Sequence, residues 1–330
     1  MNSALARQRL ELLPSVASAC RLCPRECGVN RLKGEIGFCG AGQEAEIFLE
    51  YVHWGEDADI TPAQTMYLTG CNLSCVFCQT AEESQCLPSV RLTPEMFKNI
   101  LVQGRRSGAE FVNILGGEPT VNMPALLELF ARSGDFSGLV WNTNFYGSAR
   151  AFQLLDGLVD VFMGDLKFGD PACAKTLSGA EDAGETARAR ALEIYGRTPD
   201  RLIARHLVLP GHFDCCTRPT LEWIARNLPG VRVSLKTVYL PPRSLPQDCE
   251  EKRFLSPEEA ATARRLAEKL CLNLTRDADL SSEQTCKERP DSARPPVLVE
   301  AAIAPDGRVY MRHIVREAAQ LLSRLESAHE

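Results

Sequence analysis

The chain lacks a long apolar run: nowhere in its 330 residues does it approach the roughly 18 consecutive apolar residues of a membrane span. It also lacks an excess of positive charge. With 37 Lys and Arg against 43 Asp and Glu, its formal net charge is −6. That balance argues against a nucleic-acid partner held by bulk electrostatics, because counterion release needs clustered basic side chains. A secretion signal is missing too: Met1 to Ala19 carries Arg7 and Arg9, but Glu11 and Pro14 interrupt its apolar pattern. The three absences lead to the expectation of a cytoplasmic enzyme with no nucleic-acid partner and no membrane partner.

What is present is an ordinary enzyme composition, 45% hydrophobic and 24% charged, with an unusual supply of 14 cysteines. The length allows either two domains or one barrel-sized unit. Without a secretion signal, so many cysteines point to metal ligands more than to disulfides. Seven fall into two tight groups. The others (Cys86, Cys173, Cys215, Cys216, Cys249, Cys271 and Cys286) are scattered, with no CxxC pair among them, and read by default as small buried hydrophobes or idle thiols.

The denser group is Cys71-Asn-Leu-Ser-Cys75-Val-Phe-Cys78, directly after the β-like run Thr65–Thr69 and Gly70. A strand that delivers three soft thiols to one loop suits an iron–sulfur cluster, which normally takes four cysteines, so that one iron is left open to a ligand other than protein. Zinc in a structural site would need a fourth ligand from elsewhere. The other group, Cys20-x2-Cys23-x3-Cys27 and then Cys39, is interleaved with Pro24, Gly28, Gly34 and Gly37. This knuckle has too little apolar content to fold unaided. Zinc or an auxiliary iron–sulfur cluster would satisfy its four thiols, and the spacing does not choose between them.

From Thr65 onward, apolar runs recur at 65–69, 111–115, 138–141, 159–163, 202–209 and 231–240, separated by polar-faced helical stretches. One of these opens at Thr93-Pro94-Glu95 with a cap and a proline at its first turn. Near-continuous apolar strands alternating with helices predict an α/β fold with a parallel sheet covered on both faces, and six such units make a partial (β/α)6 barrel. Chemistry is then expected at the C-terminal ends of the strands. There lie Gly116-Gly117-Glu118-Pro119-Thr120, Trp141-Asn142-Thr143-Asn144, Met163-Gly164-Asp165-Leu166-Lys167 and Arg205-His206. The two glycines permit positive φ and leave room for a ligand to approach the backbone. Strand alternation that points Arg205 inward turns His206 toward the helices. Asp165 and Lys167 share one face of a strand and can form a plain ion pair.

The CxxxCxxC spacing, with Phe77 before the last cysteine, resembles the signature of the radical S-adenosylmethionine (SAM) superfamily, and GGEP resembles its SAM-binding motif. The likeness runs from about Ser18 to Leu272. CxxCPRxC followed by GVNR, and the later RHLVLP run, further resemble an uncharacterised branch that is itself similar to pyruvate formate-lyase activating enzyme. The resemblance implies a partial (β/α)6 radical SAM barrel over residues 61–272, an N-terminal Cys-rich segment over 1–60, and a linker with a C-terminal extension over 273–330. It implies a 4Fe-4S cluster held by Cys71, Cys75 and Cys78, whose fourth iron binds SAM. An electron from that cluster cleaves SAM, and the resulting 5′-deoxyadenosyl radical takes a hydrogen atom from a substrate.

By the same resemblance SAM meets Phe77, Gly116, Gly117 and Glu118, the last at its amino group, and Thr143 and Asn144. Arg205 is expected to hold its carboxylate. A monovalent cation would lie among Asn142, Thr143, Met163 and Asp165, although Asn142 stands where the activator has an acid. The implied partners are a reductant such as flavodoxin or ferredoxin, and a glycyl radical enzyme or peptide as substrate. Modification of a small molecule or of an unrelated peptide is the competing enzyme reading, and an iron–sulfur electron-transfer or scaffold protein the competing reading from another class. GGEPT speaks against the last, since an electron carrier needs no methionine-binding loop. Cys215 and Cys216, on the loop after Arg205, are candidates for hydrogen donation or for closing a second cluster. The run 231–240 closes in TVYLPP where the branch has a Gln-Tyr-Pro-like sequence, so substrate-facing residues do not transfer.

In the tail, Ser256-Pro-Glu-Glu259 is a capping box for a helix to about Cys271, and 276–296 is polar and punctuated by proline. Val297–Ile303 and Arg308–Met311 flank the hairpin turn Pro305-Asp306-Gly307, and Ile314, Ala318, Leu321 and Leu325 form a helical stripe.

Overall fold

The computed structural model describes residues 1–55, 57–81, 84, 89–242 and 249–276, and the backbone of two strands at 297–303 and 309–315. The strands, in chain order, are β1 (Glu46–His53), β2 (Ala63–Leu68), β3 (Val90–Arg91), β4 (Phe111–Gly116), β5 (Leu139–Thr143), β6 (Val161–Asp165), β7 (Leu202–Leu207), β8 (Arg232–Lys236) and β9 (Asn273–Leu274), followed by β10 (Val297–Ile303) and β11 (Val309–Val315). The first nine form one sheet in the order β3-β1-β2-β4-β5-β6-β7-β8-β9, while β10 and β11 pair with each other. From β2 through β9 the neighbours run parallel, and β1 is antiparallel to both β2 and β3. The sheet is an open α/β sheet, as a partial barrel requires.

Alternation along the strands sorts their side chains into an outer and an inner layer. Trp141, Phe162, Leu202 and Ala204 face the helices, in the large core shared with Phe97, Phe130 and Phe152. Val140, Met163 and Ile203 face inward and close around Ile60, a residue of the β1–β2 connection. That connection crosses to the far side of the sheet. The buried Asp57 carboxylate accepts hydrogen bonds from Ser234 Oγ (3.0 Å) and Thr275 Oγ1 (2.7 Å) and pairs with Lys236 Nζ (3.3 Å). A loop, not a strand ladder, thus bridges the seam between β1 and β8.

The N-terminal 60 residues share this framework. The helix Ser3–Leu12 packs on the helix Met123–Ser133, and Cys20 and Leu22 sit in the large core. Thr93 caps the helix Pro94–Arg106, and Ser256 and Glu259 make the full capping box of the helix Pro257–Lys269. Three strands are shorter than their apolar runs. β8 stops at Lys236, β7 at Leu207, and β6 starts at Val161; the leftover Tyr239, Val208, Leu209 and Val159 are buried all the same, packed as loop against the core. Apolar content marked burial at these four positions, not ladder pairing, whereas Val238 of the same run is exposed.

In the tail the second hairpin arm runs on to Val315, so Ile314 is in a strand and not at the start of a helical stripe. Ala318, Leu321, Leu325, the turn Pro305–Gly307, residues 277–296, Cys86 and Cys286 lie outside the described residues. No helix among the described residues is long and apolar enough to cross a membrane.

Candidate active site

At the C-terminal ends of the parallel strands lies a cavity of about 490 Å³. Cys71, Cys75, Phe77 and Cys78 line it from the loop after β2, Gly116 and Gly117 from the end of β4, and Asn142, Thr143 and Asn144 from the end of β5. Asp165, Lys167, Arg205 and Lys236 complete it from β6, β7 and β8. Phe48 and Leu49 of β1 and Val238 beyond β8, from opposite ends of the sheet, also reach it.

Backbone and side-chain hydrogen bonds together hold the cysteine loop. Cys71 N donates to Cys39 O (3.0 Å), Ser74 N to Ser178 O (3.0 Å) and Val76 N to Leu177 O (2.9 Å), so the C-terminal carbonyls of the helix Pro171–Ser178 clasp it. Asn72, buried within the loop, donates from Nδ2 to Tyr146 O (2.6 Å) and accepts at Oδ1 from Asn144 Nδ2 (2.9 Å). Nothing in the sequence marks Asn72, since it lies between two cysteines of a spacing that names only the cysteines and its contacts, Tyr146 and Asn144, come from more than 70 positions away.

Gly116 and Gly117 serve this loop before any ligand. Gly116 has φ +112°, and a Cβ there would stand 2.2 Å from Leu68 N; one on Gly117 would stand 1.9 Å from Gly70 O. Gly117 N donates to Leu68 O (2.7 Å) and Glu118 N to Gly70 O (2.8 Å). The glycines therefore let the β4 turn lie flat against the chain entering the cysteine loop.

Glu118, expected at the SAM amino group, is engaged by the protein itself. Its carboxylate is buried and is not part of the cavity wall. Oε1 accepts from Thr120 N (2.9 Å) and Thr143 Oγ1 (2.7 Å), and Oε2 from Asn144 N (2.8 Å). Burial raises its pKa, opposed by these hydrogen bonds. Glu118 joins the ends of β4 and β5 and so presents Thr143 and Asn144 to the cavity.

The opposite wall is built of charge. Arg205 points inward and His206 outward, where His206 Nδ1 meets Leu166 O (2.6 Å) and Nε2 meets Thr217 Oγ1 (3.0 Å). The Arg205 guanidinium stands among the side chains expected to hold a monovalent cation. Nε donates to Asp165 Oδ1 (2.5 Å), Nη2 to Asn142 Oδ1 (2.7 Å), and Nη1 lies 3.4 Å from Met163 Sδ. The other Asp165 oxygen takes Lys167 Nζ (2.5 Å). Burial would raise the Asp165 pKa, but the two cations beside it hold the carboxyl down at about 2. Burial works against the charge on Lys167 as well, and the Asp165 carboxylate, with the charge of a Cys75 thiolate, outweighs it. Thr143, the fourth expected cation ligand, instead donates to Glu118 and accepts from Phe145 N (3.1 Å).

The three thiols of the loop fit an iron–sulfur cluster. They are the only cysteines on the cavity wall among the described residues. Burial pushes the Cys71 thiol well up and the Cys75 thiol up to about 12, with Lys167 opposing the latter. Thiolates so desolvated need a bound cation, which a cluster provides. Cys20, Cys23, Cys27 and Cys39 surround a second, smaller cavity with Arg25 and Arg31. Cys20 and Cys23 are buried and Cys27 is exposed, and Arg31 Nη1 reaches Cys39 Sγ (3.4 Å). Burial lifts the Cys23 thiol to about 11. The four thiols thus line one small cavity, and the backbone hydrogen bond from Cys71 N to Cys39 O ties this knuckle to the cysteine loop.

Residues 66–224 match the Radical SAM superfamily. The chain is 32% identical over 279 residues to the uncharacterized protein MJ0674 of Methanocaldococcus jannaschii, covering 82% of this chain and 80% of that one. Among solved structures it is similar to a radical SAM methyltransferase from Sphaerobacter thermophilus (17% identity, TM-score 0.48, 65% of this chain and 66% of the other). It is also similar to Streptococcus suis SuiB bound to its precursor peptide SuiA (17% identity, TM-score 0.41, 64% and 46%). The chain thus spans less than two thirds of the length of either solved chain.

Proposed function

We propose that this chain, which belongs to the radical SAM superfamily, is an enzyme of activating-enzyme type that removes a hydrogen atom from a glycine in a protein or peptide. The observation that carries the reading is the convergence of three thiols from one eight-residue loop on a cavity walled by glycine backbone and paired charges. Cys71, Cys75 and Cys78 would hold a 4Fe-4S cluster, which supplies the electron for reductive cleavage of SAM and itself needs an outside reductant such as flavodoxin or ferredoxin.

The chain's own residues bind and orient. Gly116 and Gly117 bring bare backbone to the ligand, while Thr143 and Asn144 offer polar atoms that Glu118 fixes in place. Arg205 and Lys167 present positive charge suited to the SAM carboxylate, and Asp165 between them keeps that charge balanced and placed. In this reading the Arg205 guanidinium does the work of a monovalent cation, since Asn142, Met163 and Asp165 already direct their acceptor atoms at it. The cavity reaches residues at both ends of the open sheet, so its mouth spans the seam. Such a mouth suits an extended peptide segment better than a closed pocket would.

The test is anaerobic reconstitution with iron and sulfide, reduction by dithionite, and chromatography of the products of SAM. The expected result is 5′-deoxyadenosine and methionine, with deuterium carried into 5′-deoxyadenosine from a peptide deuterated at glycine. No cleavage, with the cluster shown present, overturns the enzyme reading. Cleavage with label arriving from a small molecule and not from glycyl peptides replaces the activating-enzyme reading with the small-molecule one.

A further inference from the structure

Away from the cavity wall, three of the scattered cysteines come together with a histidine. Cys173 lies in the first turn of the helix Pro171–Ser178, and His212, Cys215 and Cys216 lie on the turn between β7 and the helix Arg218–Asn227. Their ligand atoms all fall within 4.8 Å of one another. The imidazole is turned for ligation: Nδ1 is 3.4 Å from Cys215 Sγ and 3.8 Å from Cys173 Sγ. Its other nitrogen, Nε2, is 2.9 Å from Glu251 Oε1. A carboxylate only accepts, so Nε2 carries the hydrogen and Nδ1 keeps a free lone pair toward the thiols. A ligand histidine backed by a carboxylate on its second nitrogen is a recurrent metal-site arrangement.

We propose that Cys173, His212, Cys215 and Cys216 bind a single zinc ion, at a site distinct from both the cysteine loop and the N-terminal knuckle. The ligand chemistry, three thiolates and one imidazole, is that of a closed structural zinc site. Compactness selects a mononuclear ion. Tetrahedral zinc with Zn–S near 2.3 Å and Zn–N near 2.0 Å sets its ligand atoms about 3.5 to 3.8 Å apart. A cuboidal iron–sulfur cluster, with each thiolate on a separate iron, would spread them beyond about 6 Å.

The site has a mechanical consequence. It would clamp the start of the helix Pro171–Ser178 to the turn after β7, and the end of that same helix holds Ser74 N and Val76 N of the cysteine loop. Cys216 also packs in the apolar cluster that contains Phe77. Zinc would thereby stiffen the support of the loop without touching the cavity.

The experiment is metal analysis of the full-length protein, purified anaerobically, as wild type, Cys173→Ser, Cys215→Ser and Glu251→Gln. Each cysteine variant is expected to lose one equivalent of zinc per chain and to keep its iron after reconstitution. Unchanged zinc, or iron lost instead, overturns the proposal. Folding is controlled by cobalt substitution in the wild type, where a thiolate-to-cobalt charge-transfer band should appear for this site and be missing from Cys215→Ser; an identical band in the two proteins overturns the assignment. Glu251→Gln should keep the stoichiometry but weaken zinc about 10- to 100-fold in chelator competition. Equal affinity there would remove Glu251 as the positioning residue of His212.

Discussion

The two walls of the candidate active site are made by different physics. On the β2–β4 side the surface is thiol and bare backbone, and its shape is set by how closely Gly116 and Gly117 approach Leu68 and Gly70. On the β6–β8 side it is Asp165, Lys167, Arg205 and Lys236, whose placement is set by charge balance with little water to screen it. A steric wall tolerates nothing larger than hydrogen at its contact points, whereas an electrostatic wall can be rebalanced by a second substitution. The first is therefore written in short, rigid motifs, and the second in residues far apart along the chain.

Replacing Cys71, Cys75 or Cys78 by Ala should have the largest effect, since three thiols are the minimum set for the cluster. We expect cluster iron to be lost from the loop and SAM cleavage to fall below detection; a variant that keeps a SAM-perturbed cluster signal in electron paramagnetic resonance breaks the steric wall's assignment. Gly117→Ala comes next. Its Cβ would meet Gly70 O at 1.9 Å, so a loss of about 3 kcal/mol in anaerobic unfolding, the upper end for overpacking, should accompany faster bleaching of the cluster.

On the charged wall the expected losses are smaller and recoverable. Arg205→Met should destabilise by about 2 kcal/mol, less than for an isolated buried pair because Lys167 still faces Asp165. Adding Asp165→Asn should restore part of that loss. A double-mutant cycle with no coupling would remove the distinction between the walls. The smallest effect comes from behind β7. Burial holds His206 down at about 4 against an ordinary 6.5, so it is neutral in the folded protein. A depressed folded pKa means that stability is full above about pH 6.5 and is lost as the pH falls toward 4. Between pH 7 and 6 the loss should be somewhat under 1 kcal/mol in the wild type, and the slope should flatten in His206→Gln.

How much of this was legible follows the same division. The cysteine loop, the glycine turn and the alternating strands were readable because each needs only neighbours in sequence. Strand alternation set Arg205 and His206 on opposite faces, and the carboxylate expected to meet Arg205 chose which of them faces inward. For Glu118 the motif names the residue but not the direction of its side chain; Thr120, Thr143 and Asn144, up to 26 positions away, fix that direction. The gathering of Cys173 with His212, Cys215 and Cys216 was invisible, since 38 residues separate Cys173 from His212 and only the crossover from β6 to β7 brings them together. Likewise, nothing local marks Asp57 as the carboxylate that reaches Ser234 and Lys236 across the seam.

The register of the sheet has a consequence for changes in chain length. Leu68 lies opposite Gly116, Asn142 opposite Met163, and Asp165 opposite Arg205, itself opposite Ser234, so the cavity residues Gly116, Asn142, Asp165 and Arg205 come within about two strand positions of one another in height across the sheet. The segments between those strands set none of these heights. Insertions or deletions in the surface turns leading back from one strand to the next can be absorbed while every floor residue stays in place. Removing a single residue from the middle of β6 or β7 has the opposite result, because it turns that strand's inward set outward and exchanges Asp165 or Arg205, respectively, for a neighbour that belongs on the other face.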